Sequence, residues 1–210
     1  MTGAFITLEG GDGSGKSTQA GLLHAWLEAR GSTVVRTREP GGTELGVEIR
    51  RLVQHTEGHV APRAEALLYA ADRAHHVATL VRPALERGDV VLQDRYLDSS
   101  VAYQGAGREL DGRQIRDLSL WAADGLLPDL TILLDLDPAT GRERMAGRDD
   151  APYDRLEEAG AEFALRVRAA YLELAAAEPD RFAVVDASGT PDAVHARVVS
   201  HVRAMLDADR

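Results

Sequence analysis

Along the whole chain, short runs rich in β-branched and apolar residues alternate with longer stretches whose apolar positions recur at helical spacing. Ala4 to Glu9, Thr33 to Arg38, Val90 to Asp94, Thr131 to Asp137 and Phe182 to Asp186 are the five runs, and each has the length of a strand. Except in Thr33 to Arg38, their near-continuous hydrophobicity, without a polar residue at every second position, is that of strands covered on both faces in a parallel sheet. Between them, Leu22, Leu23, Trp26 and Leu27 mark a helix over Lys16 to Arg30, with Gly31 as its stop. A short helix is predicted over Leu45 to Gln54. A longer one starts at Pro62, kinks or breaks at Pro83, and ends at Gly88. Asp111 to Asp124 reads as another helix. Phe163, Val167, Ala170, Tyr171 and Leu174 form one stripe, read as core or subunit contact without chemistry of its own. Thr190-Pro191 opens a last helix with Val194, Val198, Val202, Met205 and Leu206 facing inward. Strand and helix in alternation predict an α/β fold: a five-stranded parallel sheet flanked by helices in three layers.

Length and composition narrow this picture. At 210 residues the chain is expected to form one domain over 1–210. A formal net charge of −10 disfavours nucleic acid as the main partner, because phosphate backbones would be repelled over most of the surface, so none is expected. Cysteine is absent, so there is no disulfide framework and no thiolate metal site. The first strand begins at the N-terminus without a signal-like segment, and no apolar run reaches membrane length, so a cytoplasmic enzyme is expected. The seven histidines, including His75-His76, read as ordinary surface or part-buried residues. Adjacent helical positions do not face one another, so that pair does not suggest a metal site.

Chemistry concentrates at the ends of the predicted strands. Gly10-Gly11-Asp12-Gly13-Ser14-Gly15-Lys16-Ser17-Thr18 fits G-x-x-x-x-G-K-[ST] between a strand and a helix, the context in which backbone N–H groups cradle phosphates. Lys16 then reaches the β- and γ-phosphates, and the Ser17 hydroxyl binds Mg²⁺. Lys16 is also the only lysine; the other 23 of the 24 Lys+Arg residues are arginine. An ammonium has been kept where a compact charge on a flexible stem differs from a planar fork. Asp94, at the end of the third run, resembles the acid that assists Mg²⁺ in such sites, and Arg95 beside it can clamp a phosphate. Asp135 competes for the metal role, but Arg95 favours Asp94, and Asp137-Pro138 reads as a helix cap.

Four further places stay open on the residues alone. Arg38 and Glu39 end a strand and are binding candidates, or two solvated charges on a Pro-Gly-Gly turn. Tyr69 and Arg73 share a helix face, as a ligand pair or as packing plus a charge. Ser100 and Gln104, four residues apart, offer a hydroxyl and an amide to the edge of a base, or are solvated polar residues. Residues 142–155 are charged and interrupted by Gly147 and Pro152. This is the composition of a short mobile lid whose Arg148 or Arg155 swings onto transferring phosphates, or of a plain loop.

These motifs, in this order, resemble the thymidylate kinase family of P-loop nucleoside monophosphate kinases. The resemblance rests on Phe5 to Thr18, Arg38 to Thr43, Leu67 to Arg73, Asp94 to Gly105 and Asp154 to Glu157. It implies the P-loop NTPase fold and transfer of the ATP γ-phosphoryl group to dTMP, giving dTDP, with Mg²⁺ as cofactor and a homodimer as the assembly. By position it implies that Arg95 holds the acceptor phosphate and Arg73 bonds the thymine carbonyl, while Tyr69, where phenylalanine is usual, stacks on the base. Ser100 and Gln104 fall near the base edge, and Tyr103 crowds the sugar C2′ and favours deoxyribose. Asp12, in place of a P-loop arginine, approaches the sugar 3′-hydroxyl or the metal and implies a lid arginine in catalysis: Arg148 first, then Arg155, then Arg144. A GTP-hydrolysing switch is excluded, since its Asn-Lys-x-Asp motif needs a second lysine. A kinase for another nucleoside monophosphate or for a nucleoside is the alternative.

Overall fold

The computed structural model describes residues 3–56, 58–146 and 160–208. Its strands are β1 (Phe5–Glu9), β2 (Val34–Arg38), β3 (Val90–Asp94), β4 (Leu130–Asp135) and β5 (Phe182–Asp186). They make one parallel sheet in the order β2-β3-β1-β4-β5. The expected runs and these strands agree closely. β4 stops two residues short of Asp137 because that side chain caps the next helix, accepting from Ala139 N at 2.9 Å and Thr140 N at 3.4 Å.

The helices are α1 (Lys16–Glu28), α2 (Glu44–His55), α3 (Pro62–His76), α4 (Arg82–Glu86), α5 (Leu97–Ser100), α6 (Gly112–Ala122), α7 (Pro138–Ala146), α8 (Ala161–Ala177) and α9 (Pro191–Ala208). Two wider, π-helical turns lie among them, at Val77–Val81 and Val101–Gly107. The first lies just before Pro83, where the break that the sequence offered as one outcome does not occur. The chain passes from α3 to α4 without breaking, because the turn before the proline widens and so accommodates a residue that has no N–H. The second π turn continues α5 and carries Tyr103 and Gln104.

Alternation along β1 explains the layers. Ile6 and Leu8 pack with Leu23 and Leu27 of α1 and Val198 and Val202 of α9 on one face. Phe5, Thr7 and Glu9 point to the other face, where Phe5 meets Val77, Val81 and Tyr96. Farther along that face, Phe163, Val167 and Tyr171 of α8 pack against Leu133 and Tyr103. All five strands end on one side of the sheet, and β1 lies between β3 and β4, so the chain leaves the sheet in opposite directions around the β1 end. That is where an open parallel sheet forms its ligand crevice.

Candidate active site

The crevice is a cleft of about 230 Å³ lined by residues from the P-loop, the β2 and β3 ends, α3 and α5 with its π turn. Lys16, Arg38, Glu39, Tyr69, Arg73, Asp94, Arg95, Ser100, Tyr103 and Gln104 all line it, so the sequence-predicted residues converge on one space. The loop itself is held by close backbone packing. Gly13, at φ 76°, lies against Gly141 of α7 so tightly that a Cβ on either glycine would collide with the other segment's backbone. Lys16 Nζ donates to Gly10 O at 3.0 Å and Gly11 O at 2.9 Å. Burial, and then Arg95 nearby, pull its ammonium down to about 8.

At the metal end, Ser17 Oγ donates to Asp94 Oδ2 at 3.3 Å. Asp94 Oδ1 is buried and has no hydrogen-bond partner among the described residues. Asp135 is excluded from that role, because Arg168 grips it through two bonds of 2.7 and 2.9 Å. Among the described residues no group of three or more His, Asp or Glu side chains is set to hold a metal by itself.

Arg95 sits at the centre. Its backbone is at φ 66°, in the left-handed region, which turns its side chain back over the P-loop. Nη1 donates to Gly10 O at 3.2 Å and Ser99 Oγ at 3.3 Å, and Nη2 donates to Tyr103 Oη at 3.0 Å and to an Asp12 carboxylate oxygen. The guanidinium also lies 4.7 Å from the centre of the Tyr103 ring. Burial raises the Asp12 carboxyl, but Arg95 and Lys16 outweigh it and hold that group below the usual carboxylate range. Tyr103 Oη donates to Asp12 Oδ2 at 3.1 Å, so the ring is tied at its tip as well as packed edge-on against Phe163.

Behind Arg95 lies a cluster the sequence reading missed. Glu9 is wholly buried and accepts from Tyr96 N at 2.7 Å, Ser99 Oγ at 2.6 Å and Tyr171 Oη at 2.8 Å. Burial and then Asp98 push its carboxyl up to about 7, against the lowering effect of the Ser99 hydrogen bond. Tyr171 therefore does more than fill the core stripe of α8: its hydroxyl joins Glu9, Ser99 and Arg95. A glutamate ending an otherwise apolar strand was the one available signal.

The base end is equally braced. Arg73 is almost wholly buried; Nη1 donates to Ser119 Oγ at 3.1 Å and Nη2 to Ser100 Oγ at 3.3 Å, and its Nε stands 2.9 Å from Glu39 Oε2. Glu39 also meets His76 Nδ1 at 2.9 Å, and His76 Nε2 meets Thr37 Oγ1 at 2.7 Å. His76 is thus fully buried inside the site's support, which corrects its reading as an ordinary surface or part-buried residue. Gln104 Nε2 donates to Glu65 Oε1 at 2.9 Å, so the carbonyl oxygen is the amide end left for a ligand. Arg38 lines the mouth of the cleft and is exposed.

The start of the expected lid is not loop. Arg142 to Ala146 complete α7, since Arg, Glu, Met and Ala are strong helix formers following a capped start, and Arg144 Nη2 donates to Ala187 O at 3.2 Å. Arg148 and Arg155 lie outside the described residues.

The thymidylate kinase family model matches residues 8–198 of this chain. A thymidylate kinase of Leifsonia xyli subsp. xyli is 70% identical, over 98% of this chain and 95% of that protein. One from Clavibacter michiganensis subsp. michiganensis is 66% identical over 99% and 98%. The crystal structure of thymidylate kinase from Ehrlichia chaffeensis superposes with a TM-score of 0.81 at 31% identity, covering 96% of this chain and all of that one.

Proposed function

The chain belongs to the thymidylate kinase family, and from that premise we propose how its residues divide the work. The reaction is phosphorylation of dTMP to dTDP, with ATP as the phosphoryl donor. The acceptor is already an anionic phosphate, so the protein's task is to hold two repelling anions in line and offset charge on the transferred group.

The reading is carried by the complementarity of the cleft's far end to a pyrimidine-dione edge. Arg73 offers donors and Gln104 an acceptor, matching the thymine O4 acceptor and N3–H donor. Cytosine reverses both. Tyr69, lining the same end, stacks on the ring, while Tyr103, held by Asp12 and Arg95, crowds the position of a ribose 2′-hydroxyl. Arg95 then holds the dTMP phosphate with two terminal nitrogens already aimed into the cleft, and Asp12 yields part of that guanidinium to it.

On the donor side, the P-loop N–H groups and Lys16 take the β- and γ-phosphates, and Lys16 exchanges its two carbonyl partners for phosphate oxygens. Ser17 and Asp94 suit Mg²⁺: both are hard oxygen donors 3.3 Å apart, and the buried Asp94 Oδ1 lacks a partner among the described residues. Bound there, Mg²⁺ would neutralise phosphate charge. Residues 142–155 act as the lid of a single domain, with Arg148 as the arginine that reaches the transferred group, Arg155 next and Arg144 third. Arg144 is the weakest of these, since it is tied to Ala187.

A homodimer packed through helices accords with exposed apolar side chains on α2, α3 and α6, among them Val47, Leu67 and Trp121. No described helix is long and apolar enough to cross a membrane, which accords with a cytoplasmic enzyme. Steady-state kinetics test the division of roles. Arg73→Met should raise KM for dTMP by about tenfold or more with a smaller change in kcat, and Arg148→Ala should lower kcat by orders of magnitude with little change in dTMP binding. Near-normal parameters in either variant would move that role elsewhere.

A further inference from the structure

Which end of the Gln104 amide faces the cleft is decided behind it. An amide offers a donor on one side and an acceptor on the other, and turning it by half a rotation exchanges them. At this position that rotation would exchange the base the site reads, because thymine and uracil present N3–H whereas cytosine presents a bare N3.

Glu65, in α3, is fully buried, and its Oε1 takes the bond from Gln104 Nε2. Arg108, just past the π turn, donates from Nε to Oε1 at 3.3 Å and from Nη2 to Oε2 at 3.4 Å. A carboxylate that shares its oxygens with a guanidinium accepts hydrogen bonds and gives none. Only the Nε2 end of Gln104 can bond it. Arg108 is itself seated over the Phe163 ring, 5.3 Å from its centre, so the brace runs from α8 through Arg108 and Glu65 to the amide.

We infer that Glu65 is a specificity-positioning residue: by holding Nε2 it turns the Gln104 carbonyl toward the base and sets the site for a nucleotide with an N3–H donor. The inference rests on Gln104 being a base contact. Arg73 discriminates at the neighbouring position through its own side-chain partners, Glu39, Ser100 and Ser119, whereas the Gln104 amide is held by Glu65. With Glu65→Gln the residue behind the amide can donate as well as accept, so Gln104 turns either way and the N3 position loses its preference. With Arg108→Gln the guanidinium that bonds both Glu65 oxygens is gone, so the carboxylate is held less firmly behind the amide and aims it less strictly.

The test is kinetic, on the full chain with saturating ATP and Mg²⁺, using dTMP, dUMP and dCMP as acceptors. For Glu65→Gln we expect KM for dTMP to rise about tenfold and kcat to fall no more than about threefold. The dTMP-to-dCMP ratio of kcat/KM should narrow at least about tenfold, since a site that pairs a buried polar group rejects the mismatched analogue strongly. Arg108→Gln should narrow the ratio in the same direction, and it carries the test if Glu65→Gln does not fold. A loss of kcat or thermal stability with KM and the base ratio unchanged in both variants overturns the inference, since a merely structural role predicts that pattern. Gln104→Ala separates this from the base contact itself. If Gln104→Ala leaves KM for dTMP and the ratio unchanged, the base contact is wrong and the inference falls with it. If Gln104→Ala changes them while both brace variants leave them as in the wild type, the inference alone is overturned.

Discussion

A side chain other than glycine held at φ 66° costs on the order of 1–3 kcal/mol, and Arg95 holds that angle at the end of β3. The conformation persists because bonds from Gly10, Ser99, Tyr103, Asp12 and Tyr171 over-determine the guanidinium once it is turned back. Glu9 supports two of those partners from within the sheet, and its carboxyl is raised from about 4.5 to about 7, mainly by burial. A raised carboxyl contributes stability that is fully present below its unfolded value and is lost as pH rises through its folded value. Glu9→Gln lacks that dependence, so it should gain on the order of 1–3 kcal/mol relative to wild type between pH 5 and pH 8 in urea unfolding. Parallel pH profiles would contradict this. Residues such as Lys16, Arg73, Asp94 and Arg95 were legible because each belongs to a local pattern. Glu9, Tyr171, Ser99 and Glu65 were not, because their roles arise from contacts between distant segments: the Tyr171–Glu9 bond spans 162 positions.

At the scale of elements, strand limits were legible to within about two residues because short β-branched and apolar runs bounded by glycines, prolines and charges leave so distinct a pattern. The π turns were not, since widening a helix by one residue barely changes apolar spacing over five to seven residues. Nor was the contact that ties α7 to the phosphate loop. Gly141 and Gly13 let the two backbones touch, and Gly141 in sequence is only a glycine inside a helix, which ordinarily costs about 1 kcal/mol against alanine. Here the sign reverses. Gly141→Ala must displace the Asp12 carbonyl, so it should raise KM for ATP by about tenfold or more and lower the melting temperature. Normal ATP binding in a folded Gly141→Ala protein would show that α7 does not set the loop's position.

At the scale of the molecule, the sheet order gathers four separate motifs into one cleft, and the order of strands in sequence did not reveal it. What the alternation of strands and helices did reveal was that their C-terminal ends share a side, which is enough to predict one site. The net charge of −10 is compatible with binding two anions because the cleft draws together Lys16, Arg38, Arg73 and Arg95. Leu45, Val47 and Leu52 on α2, Leu67 on α3 and Trp121 on α6 remain exposed on helices that pack α2 on α3 and α3 on α6. These side chains are the ones the proposed homodimer would cover. Light scattering should give twice the chain mass for the wild type, and Trp121→Glu should shift it toward the monomer; a monomeric wild type would contradict the assembly.

The roles proposed for Arg73, Tyr103 and Gln104 together make this cleft select a deoxynucleotide with an N3–H pyrimidine as phosphoryl acceptor. The most direct test is ADP release with ATP and Mg²⁺ against dTMP, dUMP, UMP, dCMP, AMP and GMP in parallel, with products identified by mass. Those roles predict strong preference for dTMP with dTDP formed, dUMP next, and dCMP and the purine nucleotides poor by orders of magnitude. Comparable turnover of dCMP, or of a purine monophosphate, would contradict the roles given to Arg73 and Gln104.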